Sequence, residues 1–389
     1  MPKTFYIETF GCQMNVHDSE KVRGVLEARG YGQARTPDEA GMLLYNTCSI
    51  RDKAEQKVFS RLAGIKRRAE GKTIGVLGCV AQHNGEEIFD HAPHVDFVCG
   101  SASYNALPAI LDRVEAGEPR VTGLALDTDE TFDLPCVERD RPYSAYLTII
   151  EGCDKQCTYC VVPFTRGPER SRASESVMRE ARALEDRGYT EITLLGQTVN
   201  SYRDPSPAGW SFAKLLDEVG RLRRIRRVRF TTSHPADFTP DIVEAIDRNE
   251  SLCDWVHLPV QSGSTRVLRG MRRTYSRDQY LRCIEMLKRA TRTIELSTDI
   301  IVGFPGETEQ DFEQTLSLLD EVQYASVFSF KYSPRRGTAA ADMPPVPEKE
   351  KSRRLAELQE RQRRIQLRRN AALIGTVQEA LVEGRKERM

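Results

Sequence analysis

The chain reads as an α/β protein in two parts, a small doubly wound parallel domain and then a partial (βα)6 barrel of the TIM type. Three observations carry this expectation. Its 389 residues exceed one ordinary domain of roughly 150. Short apolar runs alternate with longer amphipathic ones, the pattern of βαβ units. A poorly periodic stretch at residues 117–142, with clustered acids and three prolines, separates two sets of such units.

Taken in order, strands are expected at residues 3–9, 42–46, 73–78 and 95–99. Helices are expected at 18–29, 51–69 and 101–115, the last ended by Gly117 and Pro119. These make a first domain over 3–116, followed by a linker over 117–142. A second domain over 143–372 has strands at 145–150, 191–195, 227–231, 255–258, 295–301 and 327–332. Helical patterns fill the gaps at 175–187, 211–222, 240–249, 276–289 and 308–322. Right-handed crossovers curl six such repeats into an open barrel more readily than a flat sheet. Residues 348–370 form a basic helix, and 375–384 (GTVQEALVEG) look like a first strand of a further module over 373–389.

Lys plus Arg and Asp plus Glu both number 57, which argues against a protein that coats polyanions. Basic character is local: residues 351–389 hold 11 Lys or Arg and 5 Asp or Glu. No run approaches the roughly 18 apolar residues of a membrane span. The N-terminus turns polar before a signal region forms, so a cytoplasmic protein without a membrane partner is expected. Ten cysteines in that setting read as metal ligands or catalytic thiols rather than disulfides.

Cys153, Cys157 and Cys160 form a C-x3-C-x2-C run directly after the first barrel strand, on the face where such barrels place their chemistry. Three thiolates at this spacing can hold an iron–sulfur cubane and leave one iron open; a zinc site with a remote fourth ligand is the alternative. Cys12, Cys48 and Cys79 stand 36 and 31 residues apart, yet each follows a predicted strand. Parallel strands end on one edge, so these thiols gather either as ligands of a second cluster or as buried structural cysteines. Gly11 and Gly78 let the backbone turn tightly there. Cys99, Cys136, Cys253 and Cys283 read as structural.

At these two cysteine sets the sequence resembles the radical SAM methylthiotransferases, over about residues 3–375. The resemblance implies that Cys153, Cys157 and Cys160 hold a [4Fe–4S] cluster whose open iron binds S-adenosylmethionine, cleaved by one electron to a 5′-deoxyadenosyl radical. It implies an auxiliary [4Fe–4S] cluster on Cys12, Cys48 and Cys79 that carries the inserted sulfur. A second S-adenosylmethionine supplies the methyl group, and an electron donor of unknown identity completes the set. An unactivated C–H bond offers no leaving group or acidic proton, so cofactors must carry such chemistry.

Residues 160–172 (CVVPFTRGPERSR), 231–235 (TTSHP), 257–264 (HLPVQSGS) and 332–343 (YSPRRGTAAADM) look like the tRNA branch. Within it they are most similar to the enzymes that methylthiolate C2 of N6-isopentenyladenosine beside the anticodon. The same chemistry on threonylcarbamoyl-adenosine or a ribosomal-protein aspartate, or a non-enzymatic redox sensor, are the alternatives. Ala173, Arg336 and Ala339 depart from the branch's prolines. The resemblance implies that most of the terminal β-barrel RNA-binding (TRAM) module is absent.

Among other residues, Gly196, Gln197 and Asn200 follow a strand on the presumed active face and are expected to help place S-adenosylmethionine. Gln261, Ser262, Gly303 and Pro305 occupy equivalent strand ends and join that cofactor set. Arg166, Arg170 and Arg172, just past the cluster loop, are expected to meet tRNA phosphates, with Ser233 and His234 also toward the anticodon stem–loop. His234 and His257 also suit satisfied core histidines, and neither is a catalytic base. Arg221–Arg229 and Arg269, Arg272 and Arg273 are basic runs of solvated or phosphate-binding character.

Overall fold

The computed structural model describes residues 3–49, 52–65, 70–126, 139 and 141–382. The first sheet is built from β1 (Thr4–Phe10), β2 (Gly32–Gln33), β3 (Met42–Thr47), β4 (Thr73–Gly78), β5 (Phe97–Gly100) and β6 (Val121–Gly123). All pairs are parallel, in the order β2-β1-β3-β4-β5-β6. Side chains of β3 alternate between two cores. Met42 and Leu44 pack on the side of Val22, Leu26 and Leu111, while Leu43 and Tyr45 pack on the side of Val58, Leu62 and Phe89. A sheet covered on both faces needs apolar residues at every strand position, which is why these strands read as continuous runs.

Helices α1 (Gln13–Ala28), α2 (Asp52–Ile65), α3 (Cys79–Asn84), α4 (Glu87–His91) and α5 (Leu107–Glu115) cover it. The sequence pattern did not foresee α3 and α4, because six and five residues are too short to display a helical period. It also placed Val121–Gly123 in the linker, although a three-residue strand there extends the sheet past the expected boundary. The rest of that stretch, with Cys136, lies largely outside the described residues.

The second part carries β7 (Ser144–Thr148), a short antiparallel pair β8 (Ile150–Glu151) and β9 (Arg170–Ser171), then β10 (Glu191–Leu195), β11 (Arg227–Phe230), β12 (Trp255–His257), β13 (Glu295–Val302) and β14 (Ser326–Lys331). Parallel ladders run β11-β10-β7 and β12-β13-β14, and a single parallel bridge, Val228 with Leu252, connects β11 to the approach of β12. Among the described residues β7 and β14 gain no partner on their outer edges, so the barrel is open. Helices α6 (Val162–Arg166), α7 (Ser174–Asp186), α8 (Phe212–Gly220), α9 (Pro240–Arg248), α10 (Thr265–Gly270), α11 (Arg277–Lys288) and α12 (Glu309–Val322) are interleaved with them in chain order. One large core joins the strands to them, with Leu147, Ile192, Val228, Val256 and Ile300 against Phe212, Leu216, Ile246 and Leu319. Ser211, Ser276 and Thr308 cap α8, α11 and α12 through their hydroxyls, each worth about 1 kcal/mol.

The basic tail forms α13 (Glu348–Ala372), which buries Leu358 and Ile365 in the same core. Residues 376–382 form no strand, contrary to expectation, and residues 383–389 lie outside the described residues. Among the described residues no helix is long and apolar enough to cross a membrane.

The two parts meet along α1. Asp18 pairs with Arg166 of α6, both fully buried. Lys21 Nζ lies 3.4 Å from Glu151, and Glu20 lies 3.1 Å from Arg139, which reaches Glu180 of α7 at 2.6 Å. Ser101 Oγ donates to the Thr165 carbonyl at 2.7 Å. Buried charges of this number need such partners, since an unpaired one costs several kcal/mol.

Candidate active site

The first trio is placed by strand register. Thr47 lies opposite Phe10 on one side and Gly78 on the other, so Cys48 and Cys79 are the next residues of adjacent strands. Cys12 lies two residues past Phe10, and the Cys48 amide donates to the Phe10 carbonyl at 3.1 Å. Gly11 has φ +137°, and a Cβ there would sit 2.5 Å from Cys48 Cβ; one on Gly78, at φ +87°, would sit 2.3 Å from Asn46 Oδ1. Both glycines are therefore required by close approach at this edge.

Beneath the thiols lies a polar clamp. Cys12 Sγ lies 3.3 Å from Asn15 Oδ1, Asn46 Nδ2 donates to the Asn15 carbonyl at 2.8 Å, and Asn46 also meets Ser19 at 2.9 Å. A hydrogen bond from Cys48 is the main influence holding the Cys12 thiol down to about 6 against burial, with help from Asn15 and Arg166. A lowered thiol is a thiolate near neutral pH, the form that binds metal.

The second trio sits in the loop between β8 and α6. The Gly152 amide donates to Gln197 Oε1 at 2.6 Å, the Cys153 amide to Gly167 O at 3.2 Å, and the Cys160 amide to Cys157 O at 3.1 Å. Thr158 holds the loop against α10 through Gly270 and Met271. Cys153 Sγ lies 3.5 Å from Thr198 Oγ1, and Arg273 Nη1 lies 3.5 Å from Cys157 Sγ. Burial pushes the Cys160 thiol up to about 12.

The two loops are neighbours, because α6, six residues beyond Cys160 at its end, packs on α3, which begins with Cys79. Among the described residues no three Cys, His, Asp or Glu side chains converge as around a single metal ion. A cubane spans thiolates that stand further apart than the ligands of a single ion. Both candidate sets are all-thiolate, which suits iron–sulfur clusters over hard cations.

Several expected contacts are not brought to this face. Arg166 is 4% exposed and bound to Asp18. Arg172 is buried against Glu180 at 2.5 Å and Ser176, and Arg170 lies 3.2 Å from Glu151. Arg166 thus spans the two parts, while Arg170 and Arg172 are engaged by acids of the second part; a solvated pattern and a buried one look alike in sequence. Asn200 spends its amide on the His234 backbone at 2.8 and 2.7 Å. His234 is 4% exposed, stacked edge-on against Tyr275, and held down to about 3 by burial and then by Arg273. Its imidazole is neutral, and its Nδ1 accepts from the Ala236 amide at 3.3 Å. Ser233 Oγ is buried without a hydrogen-bond partner among the described atoms.

Gly196 is dictated by packing, since a Cβ would lie 2.1 Å from Ile150 Cγ2. Gly303, at φ +70°, abuts the Lys351 side chain of α13, and Pro305 lines an outer cleft near Pro344. Ser262 Oγ accepts from the Ser264 amide, and Gln261 bridges by backbone to Ile300. Asn15, Asn46, Thr198 and Arg273 were not singled out for these roles. Asn46 alone had a usable signal, an amide inside an otherwise apolar strand.

Two family models match the chain: the Radical SAM superfamily over residues 147–319, and Uncharacterized protein family UPF0004 over residues 4–100. A tRNA-2-methylthio-N(6)-dimethylallyladenosine synthase from Solibacter usitatus is 67% identical over 387 residues, covering 99% of this chain and 87% of that protein. The chain belongs to the tRNA-2-methylthio-N(6)-dimethylallyladenosine synthase family. A synthase of the same name from Aquifex aeolicus is 46% identical over 393 residues, covering 99% and 89%. Among solved structures, the radical S-adenosylmethionine methyltransferase TsrM from Kitasatospora setae superposes with a TM-score of 0.66 at 13% identity, over 88% of this chain and 77% of that one. At that identity the likeness speaks for the fold alone.

As a member of this synthase family the protein is a radical SAM methylthiotransferase, which uses S-adenosylmethionine and a [4Fe–4S] cluster. The cysteine loop at 153–160 falls inside the Radical SAM match, and Cys12, Cys48 and Cys79 fall inside the other.

Proposed function

We propose that this synthase inserts sulfur and a methyl group at C2 of N6-isopentenyladenosine in the anticodon stem–loop of tRNA. The observation that carries it is the strand register that gathers Cys12, Cys48 and Cys79 at one sheet edge, packed against the helix that leaves the Cys153–Cys157–Cys160 loop. In this reading Cys153, Cys157 and Cys160 hold the cluster that meets S-adenosylmethionine, and Cys12, Cys48 and Cys79 hold a second [4Fe–4S] cluster. Together these groups supply an electron, a radical, a sulfur and a methyl group that no side chain provides.

The chain's own residues orient and enclose. Gln197 and Thr158 fix the first loop, Arg273 sets a cation at Cys157, and Asn15 with Asn46 stiffens the edge under Cys12. Arg166, Ser101 and Lys21 keep the two loops adjacent and dry. The test is to incubate the reconstituted enzyme with S-adenosylmethionine, reductant and a stem–loop bearing isopentenyladenosine, then to resolve the nucleosides by mass spectrometry. A 2-methylthio product is expected, and Cys157→Ala should abolish both it and 5′-deoxyadenosine. 5′-Deoxyadenosine with an unmodified nucleoside would contradict the substrate.

A further inference from the structure

Most large apolar side chains of the described strands are buried, but three are not. Trp255 on β12 is 38% exposed, and Phe328 and Phe330 on β14 are 48% and 37% exposed. Phe328 and Phe330 also border a cleft beside Gln359 and Arg363 of α13 at the open edge. Next to the three aromatics, Val256 and Val327 pack on the barrel core, and Ser329 receives a hydrogen bond from Gln359 of α13. Side chains alternate along a strand, so Trp255, Phe328 and Phe330 face the lumen. Register brings Ser297 beside His257, and Asp299 beside Phe328.

These residues form an organised wall. Trp255 Nε1 donates to Ser297 Oγ at 3.1 Å, and His257 Nδ1 lies 3.0 Å from the same oxygen. His257 Nε2 lies 3.5 Å from Asp299 Oδ1. The imidazole meets the Phe328 ring edge-on at 5.8 Å. One rung further up, Ile301 packs against the Met271–Phe304 cluster, as does Tyr159, which stands between Cys157 and Cys160. The wall and the cysteine loop therefore share one apolar cluster. It is also reachable from the side, since β14 has no further strand partner among the described residues.

From this arrangement we propose that Trp255 and Phe328 stack the target base, flipped out of the RNA loop into the lumen, with Asp299 accepting from the base's N6–H. The proposal rests on the function given above and names its base-binding site. Exposed aromatic faces beside a fixed hydrogen-bond acceptor are what an unstacked purine requires. S-adenosylmethionine also carries an adenine. The open flank at β14 favours the base of a polymer, which must enter with its strand attached, over a small diffusible cofactor.

The test uses the reconstituted full chain, with Phe328→Ala, Trp255→Ala and the conservative Phe328→Tyr. Kd is measured for two stem–loops, one bearing isopentenyladenosine and one abasic at that position, and separately for S-adenosylmethionine. Both alanine variants should weaken the prenylated stem–loop about tenfold and bind the abasic one as the parent does. Phe328→Tyr should retain affinity, and the Kd for S-adenosylmethionine should not move. Equal loss on both RNAs, no loss on either, or weakened S-adenosylmethionine binding with intact RNA binding would overturn the stacking site. A parent enzyme that leaves the prenylated stem–loop unmodified would instead sink the function, so the two failures are distinguishable.

Discussion

Gly196 follows β10 at a point where any Cβ would collide with Ile150 on the neighbouring strand's continuation. Gly196→Ala should therefore destabilise the chain by about 1–3 kcal/mol, read as a lower denaturant midpoint; an unchanged midpoint would mean that Ile150 yields freely. His234 offers a pH test. Its imidazole is held to about 3 when folded, mainly by burial, against about 6.5 when unfolded. Between those values the unfolded chain binds the extra proton, so stability drops as pH falls through about 6.5. The loss at pH 5 is about 2 kcal/mol. His234→Gln should shrink the fall in unfolding temperature between pH 7 and pH 5, and an identical fall would refute this origin. At this scale Cys153, Cys157 and Cys160 were legible because their spacing survives in one dimension, and Cys12, Cys48 and Cys79 because each follows an apolar strand run. The role of Arg166 was not, because its partner Asp18 lies 148 residues away and an arginine near a loop looks the same whether solvated or buried.

Between elements, the contact of α1 with α6 holds the two cysteine loops together. Asp18→Asn would leave the Arg166 guanidinium buried without its counter-charge, a loss of about 3–5 kcal/mol. Equilibrium unfolding should show that loss, and protease cleavage should become faster between the two parts; a shift below about 1 kcal/mol would place the pair in solvent. The strands and long helices were legible from period alone, several to the residue, as with Thr73–Gly78 and Glu191–Leu195. What period could not reveal was short or non-local: α3, α4 and α6 have too few residues, and β6 exists because β5 offers it an edge. The face of α1 was hidden for another reason. Its buried Asp18, Glu20 and Lys21 mimic a solvated charge run until the second domain is laid against them.

At the scale of the whole molecule, two α/β halves place strand-end loops against each other, and each loop edge carries three thiols. The α/β class, the order of the halves and the two cysteine sets were all legible in the sequence. The lumen wall of Trp255, His257, Asp299 and Phe328 was not, since outward and inward faces of a barrel strand are distinguished only once helices cover one of them. The central claim is that each thiol set holds its own cubane, and iron analysis after anaerobic reconstitution tests it directly. The parent chain should take up about eight irons, and the triple alanine variants at Cys12, Cys48 and Cys79, or at Cys153, Cys157 and Cys160, about four each. A parent that saturates at four, with the first triple variant unchanged, would contradict the account.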